Sequence, residues 1–358
     1  MKKIISTILS ISMLASLALG GLTGCTKIPE RDFQNVILVI GDGMGENHIL
    51  NAIDYYDLET PSFLADKATY LVTNSLDGLT DSAAGGTALA TGKKVHNSNV
   101  AQLEGKDIKQ ITSIAKSSKM KTGVITTDVL SGATPAAFSA HSPSREETTT
   151  IINSQVKSNV DLLVGRYSST YVNRSDLFTD KGYTFVDSAK EMEEAKDAKK
   201  LVSVLRYIDS EYISMCEDHF QLKQTAKFAV EYLENKNGFF LMIEGAYIDK
   251  HSHNNDFEFA MAETRSLIDT IEYLYDYASD GKTAVFITAD HETGGLMRVQ
   301  SEDDFSGMLY TSTNHTTTPV PLFVKNYTFK PEKLGYSADD IPQNTWVFEA
   351  CKAIIKGK

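Results

Sequence analysis

The sequence predicts an α/β fold, a mainly parallel central sheet with helices on both faces, and three observations predict it. Continuous apolar runs recur at 35–40, 70–73, 122–126, 160–164, 201–205, 239–243, 284–288 and 320–324, as expected of strands buried on both sides. Helical patterns at 108–118, 224–234 and 257–278 fall between several of them, and strands alternating with helices build parallel sheets. Polar residues directly follow the runs: Asp42 after the first, Glu244 after 239–243, and Asp290-His291 after 284–288. An open parallel sheet binds its ligands just beyond the carboxyl ends of its strands, so these groups are delivered to one edge.

In chain order, residues 1–24 read as an export signal, with Lys2 and Lys3 ahead of an apolar run over 4–19. The run ends in Leu22-Thr23-Gly24-Cys25, which resembles a bacterial lipoprotein processing site with Cys25 as the lipidated first residue. The folded part is then extracytoplasmic and anchored to the cell membrane through that lipid. An uncleaved membrane anchor is the competing reading, because the run approaches spanning length. Residues 25–34 form a polar tether, and 35–358 a single domain.

The 358 residues are 42% hydrophobic and 23% charged, which is ordinary globular composition. Formal net charge is −12, and the leader contributes two lysines and no acid, so the remainder is more acidic still. No nucleic-acid partner is expected of such a chain. Clustered carboxylates instead suit divalent cations. Cys216 and Cys351 are too few and too far apart to form a disulfide framework or a cysteine metal site, and whether they pair stays open.

The first strand run leads into Gly41-Asp42-Gly43-Met44-Gly45, whose third glycine comes one residue early for a dinucleotide fingerprint. Gly86 and Gly92 are likewise one residue too far apart for a phosphate-binding P-loop, and Lys94 stands where that loop needs Ser or Thr. Asp81-Ser82-Ala83-Ala84 opens a run of small residues that predicts a short helix over 83–90, with Ser82 at or just before its start. Alone it reads as a capping serine on a buried helix. The helix start also favours an anion such as a serine alkoxide or phosphoserine.

Asp249 and His253, four apart, share a helix face and form a carboxylate-imidazole pair suited to zinc. Asp290 and His291 are adjacent, so a tight loop rather than a helix must aim both at one ion. His315, ahead of the last strand, completes one set of ligands. His251 would point elsewhere, and His48, His96 and His141 lack acidic partners at useful spacing and read as structural. Arg145, after the 126–135 segment, could grip a phosphate through two N–H groups. The polar stretch 168–200 reads as a surface insertion.

Six of these segments, Gly41 to Gly45, Asp81 to Ala84, Ala133-Thr134-Pro135-Ala136, Glu244 to Asp249, Ala289 to Gly295 and His315-Thr316, occur in the order found in alkaline phosphatases. The chain resembles that family from Asn35 to about Val324. The resemblance implies a three-layer sandwich that hydrolyses phosphate monoesters, small phosphorylated substrates, to an alcohol and inorganic phosphate. By position, Ser82 is similar to the nucleophile that becomes phosphoserine, and Arg145 to the phosphate-binding arginine. Asp42, Asp290 and His291 match the ligands of one zinc, and Asp249, His253 and His315 those of a second. Glu244 and Thr134, sharing Asp42, match those of a third ion, usually magnesium. Two zinc ions about 4 Å apart would clamp the attacking and leaving oxygens.

Three departures stand out. Gly132 lies where the family pattern carries an aspartate or histidine near the third ion, which leaves that ion's identity open. Lys250 is shared with some bacterial members only. Only 23 residues separate His291 from His315, so the family's crown-like insertion is short or absent, and monomer or homodimer stays undecided. The alternatives are a related phosphodiesterase or sulfatase-like hydrolase, or a non-catalytic, lipid-anchored phosphate- or metal-binding protein.

Overall fold

Val36, Ile37, Leu38, Val39 and Ile40 are each no more than 1% exposed. A strand in which alternate side chains point to opposite faces reaches that state only if both faces of its sheet are covered. A computed structural model describes residues 34–206, 222–299, 309–328 and 341–357, which fall within one unit, Asp32–Lys358. The export signal at 1–24, the tether up to residue 33, the lipidation site Cys25 and Cys216 lie outside the described residues. So do 300–308, part of the stretch between His291 and His315.

The strands are β1 (Asn35–Gly41), β2 (Lys67–Leu71), the ribbon β3 (Gln102–Leu103) and β4 (Lys106–Asp107), β5 (Lys121–Val129), β6 (Leu162–Arg166), β7 (Thr184–Val186) and β8 (Leu201–Leu205). They continue with β9 (Phe239–Gly245), β10 (Thr283–Thr288), the short pair β11 (Glu292–Thr293) and β12 (His315–Thr316), and β13 (Val320–Lys325). Among the described residues nine of these form one sheet in the order β2-β13-β10-β1-β9-β5-β6-β8-β7. From β10 to β7 every pairing is parallel, while β13 runs antiparallel to both β10 and β2. The sheet is therefore mainly parallel, with one reversed strand near its edge.

The helices are α1 (Glu46–Tyr55), α2 (Ser82–Thr91), α3 (Ile111–Ser117), α4 (Ala133–Ser139), α5 (Thr148–Gln155), α6 (Ser169–Val172), α7 (Ser175–Thr179), α8 (Ala189–Glu194), α9 (Leu222–Leu233), α10 (Tyr247–His253), α11 (Phe257–Tyr277) and α12 (Thr345–Lys356). They cover the sheet in two sets. Helix α11 packs on α1, α9 and α10, whereas α2 packs on α4 and α12. Both sets reach the central strands, α11 touching β1, β9 and β10 while α3 and α4 touch β5 and β9. In α11 the buried face is Leu267, Ile268, Ile271, Leu274 and Tyr275, at the spacing of one helical stripe.

The structure differs from the sequence reading in one segment. Residues 168–200 are no surface insertion, because they contain β7, which pairs in parallel with β8 and extends the sheet. Tyr171, Phe178 and Met192 from the same stretch are fully buried. Its lysines and acids mask three short helices whose few apolar residues all turn inward.

His48 behaves as a structural residue. Its Nδ1 accepts the Gly45 N–H (3.1 Å), so Nε2 carries the proton and donates to Ser252 Oγ (2.9 Å), tying α1 to α10. Complete burial pushes its pKa down to about 4. Unfolded, the ring titrates near 6.5, so between those values only the unfolded chain takes up the proton. The stability from a neutral His48 is thus full above pH ~6.5 and lost as pH falls toward 4. In urea unfolding, the advantage of the wild type over His48→Gln should shrink by about 2–3 kcal/mol between pH 7 and 4.5. A difference independent of pH would contradict this account.

Candidate active site

Four adjacent strands, β10, β1, β9 and β5, end side by side, and their registers align the ends: Ile40 lies opposite both Thr288 and Glu244, and Glu244 opposite Thr126. Whatever follows those positions shares one edge. Asp290-His291, Asp42 and the 127–134 segment all follow them, and Glu244 is itself one of them.

Helix α2 brings the serine. Asp81 is extended (φ −100°) and its Oδ1 accepts the Ala84 N–H at 2.9 Å, so Asp81 is the cap and Ser82 the first helical residue. Every residue of α2 is buried. Small side chains are required there: a Cβ on Gly85 would lie 2.8 Å from the Asp290 carbonyl oxygen, and one on Gly86 3.3 Å from Thr134 Cα. The helix ends at Gly92, whose φ of +69° suits a residue without Cβ. Wedged in this way, α2 holds Ser82 Oγ 3.2 Å from His291 Nε2.

Two sets of donors gather around His291. In the first, His291 Nε2 lies 3.5 Å from Asp42 Oδ1 and 3.3 Å from Asp290 Oδ2. Asp290 Oδ1 is already held by the N–H groups of Gly43 and His291, whereas Asp290 Oδ2 and Asp42 Oδ1 are buried without a hydrogen-bond partner. In the second, Asp249 Oδ1 lies 3.3 Å from His253 Nε2 and 3.5 Å from His315 Nε2. His291 stands between the sets, stacked on His315 with ring centroids 3.5 Å apart. The donors of Asp42, Asp290 and His291 all lie within 4.8 Å of one another, as do those of Asp249, His291 and His315.

Hydrogen bonds behind the rings fix which nitrogen faces the site. His253 Nδ1 lies 2.6 Å from the Thr313 carbonyl oxygen and His315 Nδ1 2.8 Å from that of Thr80, so each Nδ1 carries the proton. Thr293 Oγ1 donates to Asp249 Oδ1 (2.5 Å) and sits 3.2 Å from His291 Nδ1, which leaves the threonine to accept there. All three Nε2 atoms therefore point inward, as those of metal-binding imidazoles do. The Nε2 atoms of His253 and His315 are 3.1 Å apart. Two facing lone pairs at that distance need a shared proton or a cation between them.

The carboxylates give the same indication. Burial and the charges of Asp290, Asp249 and Glu244 push Asp42 well above the usual range. Burial, then Asp249, raises Asp290 to about 7. Burial also raises Glu244, with Asp128 next in importance, to about 8. Burial acts on Asp249 too, but its His315 hydrogen bond and the neighbouring imidazoles outweigh it and hold the carboxyl low. Burial, then His315, pushes His291 down, keeping it neutral. Such a concentration of buried negative charge is relieved by divalent cations. Oxygen and imidazole donors with unsatisfied, converging atoms fit zinc.

Glu244 hydrogen-bonds Thr126 Oγ1 at the β5 end. Thr134, in the first turn of α4, has a buried Oγ1 without a hydrogen-bond partner. Arg145 Nη1 lies 3.1 Å from Asp81 Oδ2, so the residue that caps α2, directly ahead of Ser82, also holds the guanidinium. Asp81 and then Asp42 keep it charged against the cost of burial. His96, read as lacking an acidic partner, has one: its Nδ1 lies 2.7 Å from Asp77 Oδ1 on the surface. Nineteen residues separate the two in sequence, so spacing gave no hint. The same holds for Asp81 as anchor of Arg145, Thr293 as anchor of Asp249, and Asp128, which pairs with Lys250 Nζ at 2.7 Å.

Residues 33–176 and 169–345 match the family model described as alkaline phosphatase. The chain is 33% identical over 294 residues to Alkaline phosphatase 4 of Bacillus subtilis (strain 168), across 75% of this chain and 64% of that protein. It is 32% identical over 330 residues to Alkaline phosphatase 3 of the same organism, across 82% of this chain and 71% of that protein. It thus spans less than two thirds of the length of the first relative. The structure of alkaline phosphatase from the Antarctic bacterium TAB5 superposes with a TM-score of 0.78 at 27% identity, covering 91% of this chain and 98% of that one. A variant of that enzyme with magnesium in a site named M3 gives the same score at 26% identity. Strand order, the converging donors and these similarities have one consistent explanation: the chain belongs to the alkaline phosphatase family.

Proposed function

We propose that this protein hydrolyses phosphate monoesters to an alcohol and inorganic phosphate through a phosphoserine at Ser82, at a site for two zinc ions and one magnesium. The placement of the Ser82 hydroxyl at the start of α2, 3.2 Å from His291 Nε2 and beside the first donor set, carries this proposal. Asp42, Asp290 and His291 would hold one zinc, and Asp249, His253 and His315 the other. Glu244 and Thr134, with Asp42, would hold the magnesium. Bound there, such ions supply Lewis-acid stabilisation of oxygen anions on the attacking and leaving sides of phosphorus.

The chain's own residues do the rest. Ser82 Oγ attacks phosphorus in line, forming the Ser82–phosphate bond as the bond to the alcohol oxygen breaks. Water then attacks the same phosphorus from the side the alcohol left, and Ser82 Oγ departs with its hydroxyl restored. The amino end of α2 favours the negative phosphoserine. Arg145, held by Asp81 directly ahead of Ser82, donates N–H groups to the non-bridging phosphate oxygens. It serves oxygens that are both free in a dianionic monoester, which favours monoesters over diesters. Its fork favours phosphorylated substrates over neutral esters.

We further propose that residues 35–358 act as one catalytic domain carried outside the cytoplasm on a lipid at Cys25. The support is the basic start, apolar run and Leu22-Thr23-Gly24-Cys25 ending of the leader. Among the described residues no helix is long and apolar enough to cross a membrane.

Acid-quenching the enzyme during turnover of a radiolabelled aryl phosphate should trap label on Ser82. Ser82→Ala should lose that label and at least roughly a thousandfold in kcat while zinc content stays unchanged. Turnover within tenfold of wild type would remove Ser82 from the chemistry. Arg145→Ala should raise the inhibition constant of inorganic phosphate by roughly tenfold or more. An unchanged constant would show that the guanidinium does not touch phosphate. Aryl phosphate should also be turned over much faster than the matching diester or sulfate, and the reverse order would favour the related hydrolases.

A further inference from the structure

Gly132 precedes α4 with φ of −53°, an ordinary backbone conformation that any residue adopts. Its lack of a side chain is therefore a matter of space. A Cβ at this position would lie 2.7 Å from Asp128 Oδ2 and 3.0 Å from the Val129 carbonyl oxygen, and real Cβ atoms do not approach a neighbour as closely as the first. Asp128, at the end of β5, already fills the room that a side chain at 132 would use.

Asp128 is tied into the site on three sides. Its Oδ1 accepts the Val129 N–H (2.7 Å) and pairs with Lys250 Nζ (2.7 Å). Its own N–H donates to Thr126 Oγ1 (2.9 Å), and that hydroxyl hydrogen-bonds Glu244. Lys250 follows Asp249 directly in α10 and is held from its other side by the Tyr247 ring, 4.4 Å from Nζ to the centroid. The buried Thr134 Oγ1, two residues past Gly132, has no hydrogen-bond partner.

We propose that Asp128 is this chain's substitute for the missing acid at 132: a positioning residue that holds Lys250 in place and supplies the negative charge of the third cation pocket beside Glu244 and Thr134. The proposal rests on the third-ion assignment made above. It makes Gly132 and Asp128 a matched pair, because a side chain at 132 and the Asp128 carboxylate claim the same space. Asp128 acts through Glu244, Thr126 and Lys250 and does not touch substrate.

Magnesium binding to the zinc-loaded protein, followed by calorimetry, tests it. Asp128→Asn keeps the size of the side chain and its contact with Val129 while removing the charge, and should weaken magnesium binding by roughly 10–100-fold, the usual cost of losing an outer-shell partner. Gly132→Asp alone should also bind less tightly than wild type, since two carboxylates then compete for one space. Asp128→Ser combined with Gly132→Asp should bind at least tenfold more tightly than Asp128→Ser alone. Wild-type affinity in Asp128→Asn, or no gain in the combined variant, would overturn the proposal. No magnesium binding by the wild type would overturn it together with the third-ion assignment, while the phosphoserine on Ser82 judges the phosphatase reading separately.

Discussion

Buried negative charge at one sheet edge is the constraint on which this structure depends. Asp42, Glu244, Asp249 and Asp290 are each no more than 8% exposed, and burial raises three of them well above the ordinary carboxylate range. Carboxylates this close in a low-dielectric setting cannot all ionise unaided. The permanent cations nearby, Arg145 and Lys250, are already engaged by Asp81 and Asp128. Burial holds His291 neutral, so it adds a donor rather than a charge. Divalent cations satisfy the acids and the imidazoles at once, and the resulting positive field is what a phosphate dianion requires.

The parallel sheet makes that concentration possible. Its central strands are mostly apolar along their middles, and each turns to polar chemistry at the same height, at Thr126, Glu244 and Thr288 and just past Ile40. The covering helices contribute through closeness rather than through charge. Helix α2 can press its serine against Asp290 and His291 only because Gly85 and Gly86 have no side chains where Asp290 and Thr134 approach. Backbone carbonyls of Thr80 and Thr313 then decide which ring nitrogen of His315 and His253 looks inward. Rigid placement of donors, before any ion arrives, limits the reorganisation needed on binding.

Much of this was legible in the sequence because it depends on local patterns. Apolar runs named the strands, and residues just past them named Asp42, Glu244, Asp290 and His291. Helical spacing named Asp249 with His253. The residues themselves suggested Ser82, Arg145 and His315, and the resemblance alone pointed to Thr134. Contacts between distant segments were not legible. Asp81 holds Arg145 across 64 residues, Thr293 holds Asp249 across 44, and His96 finds Asp77 only when two surface loops meet. The 168–200 stretch was misread because its polarity is real, whereas the edge strand β7 within it is three residues long and is defined only by its partner β8. Gly132 looked like a gap in the ligand set. In the fold it is room taken by Asp128, and a volume constraint of that kind leaves no trace in a single chain.

The most direct test of the central claim is anomalous diffraction at the zinc edge from crystals of the protein purified without chelator. Two zinc peaks should appear, one within about 2.0–2.2 Å of donor atoms of Asp42, Asp290 and His291, the other equally close to those of Asp249, His253 and His315. Zinc at only one of these positions, or ions bound elsewhere while these carboxylates and imidazoles remain protonated partners of one another, would contradict the account.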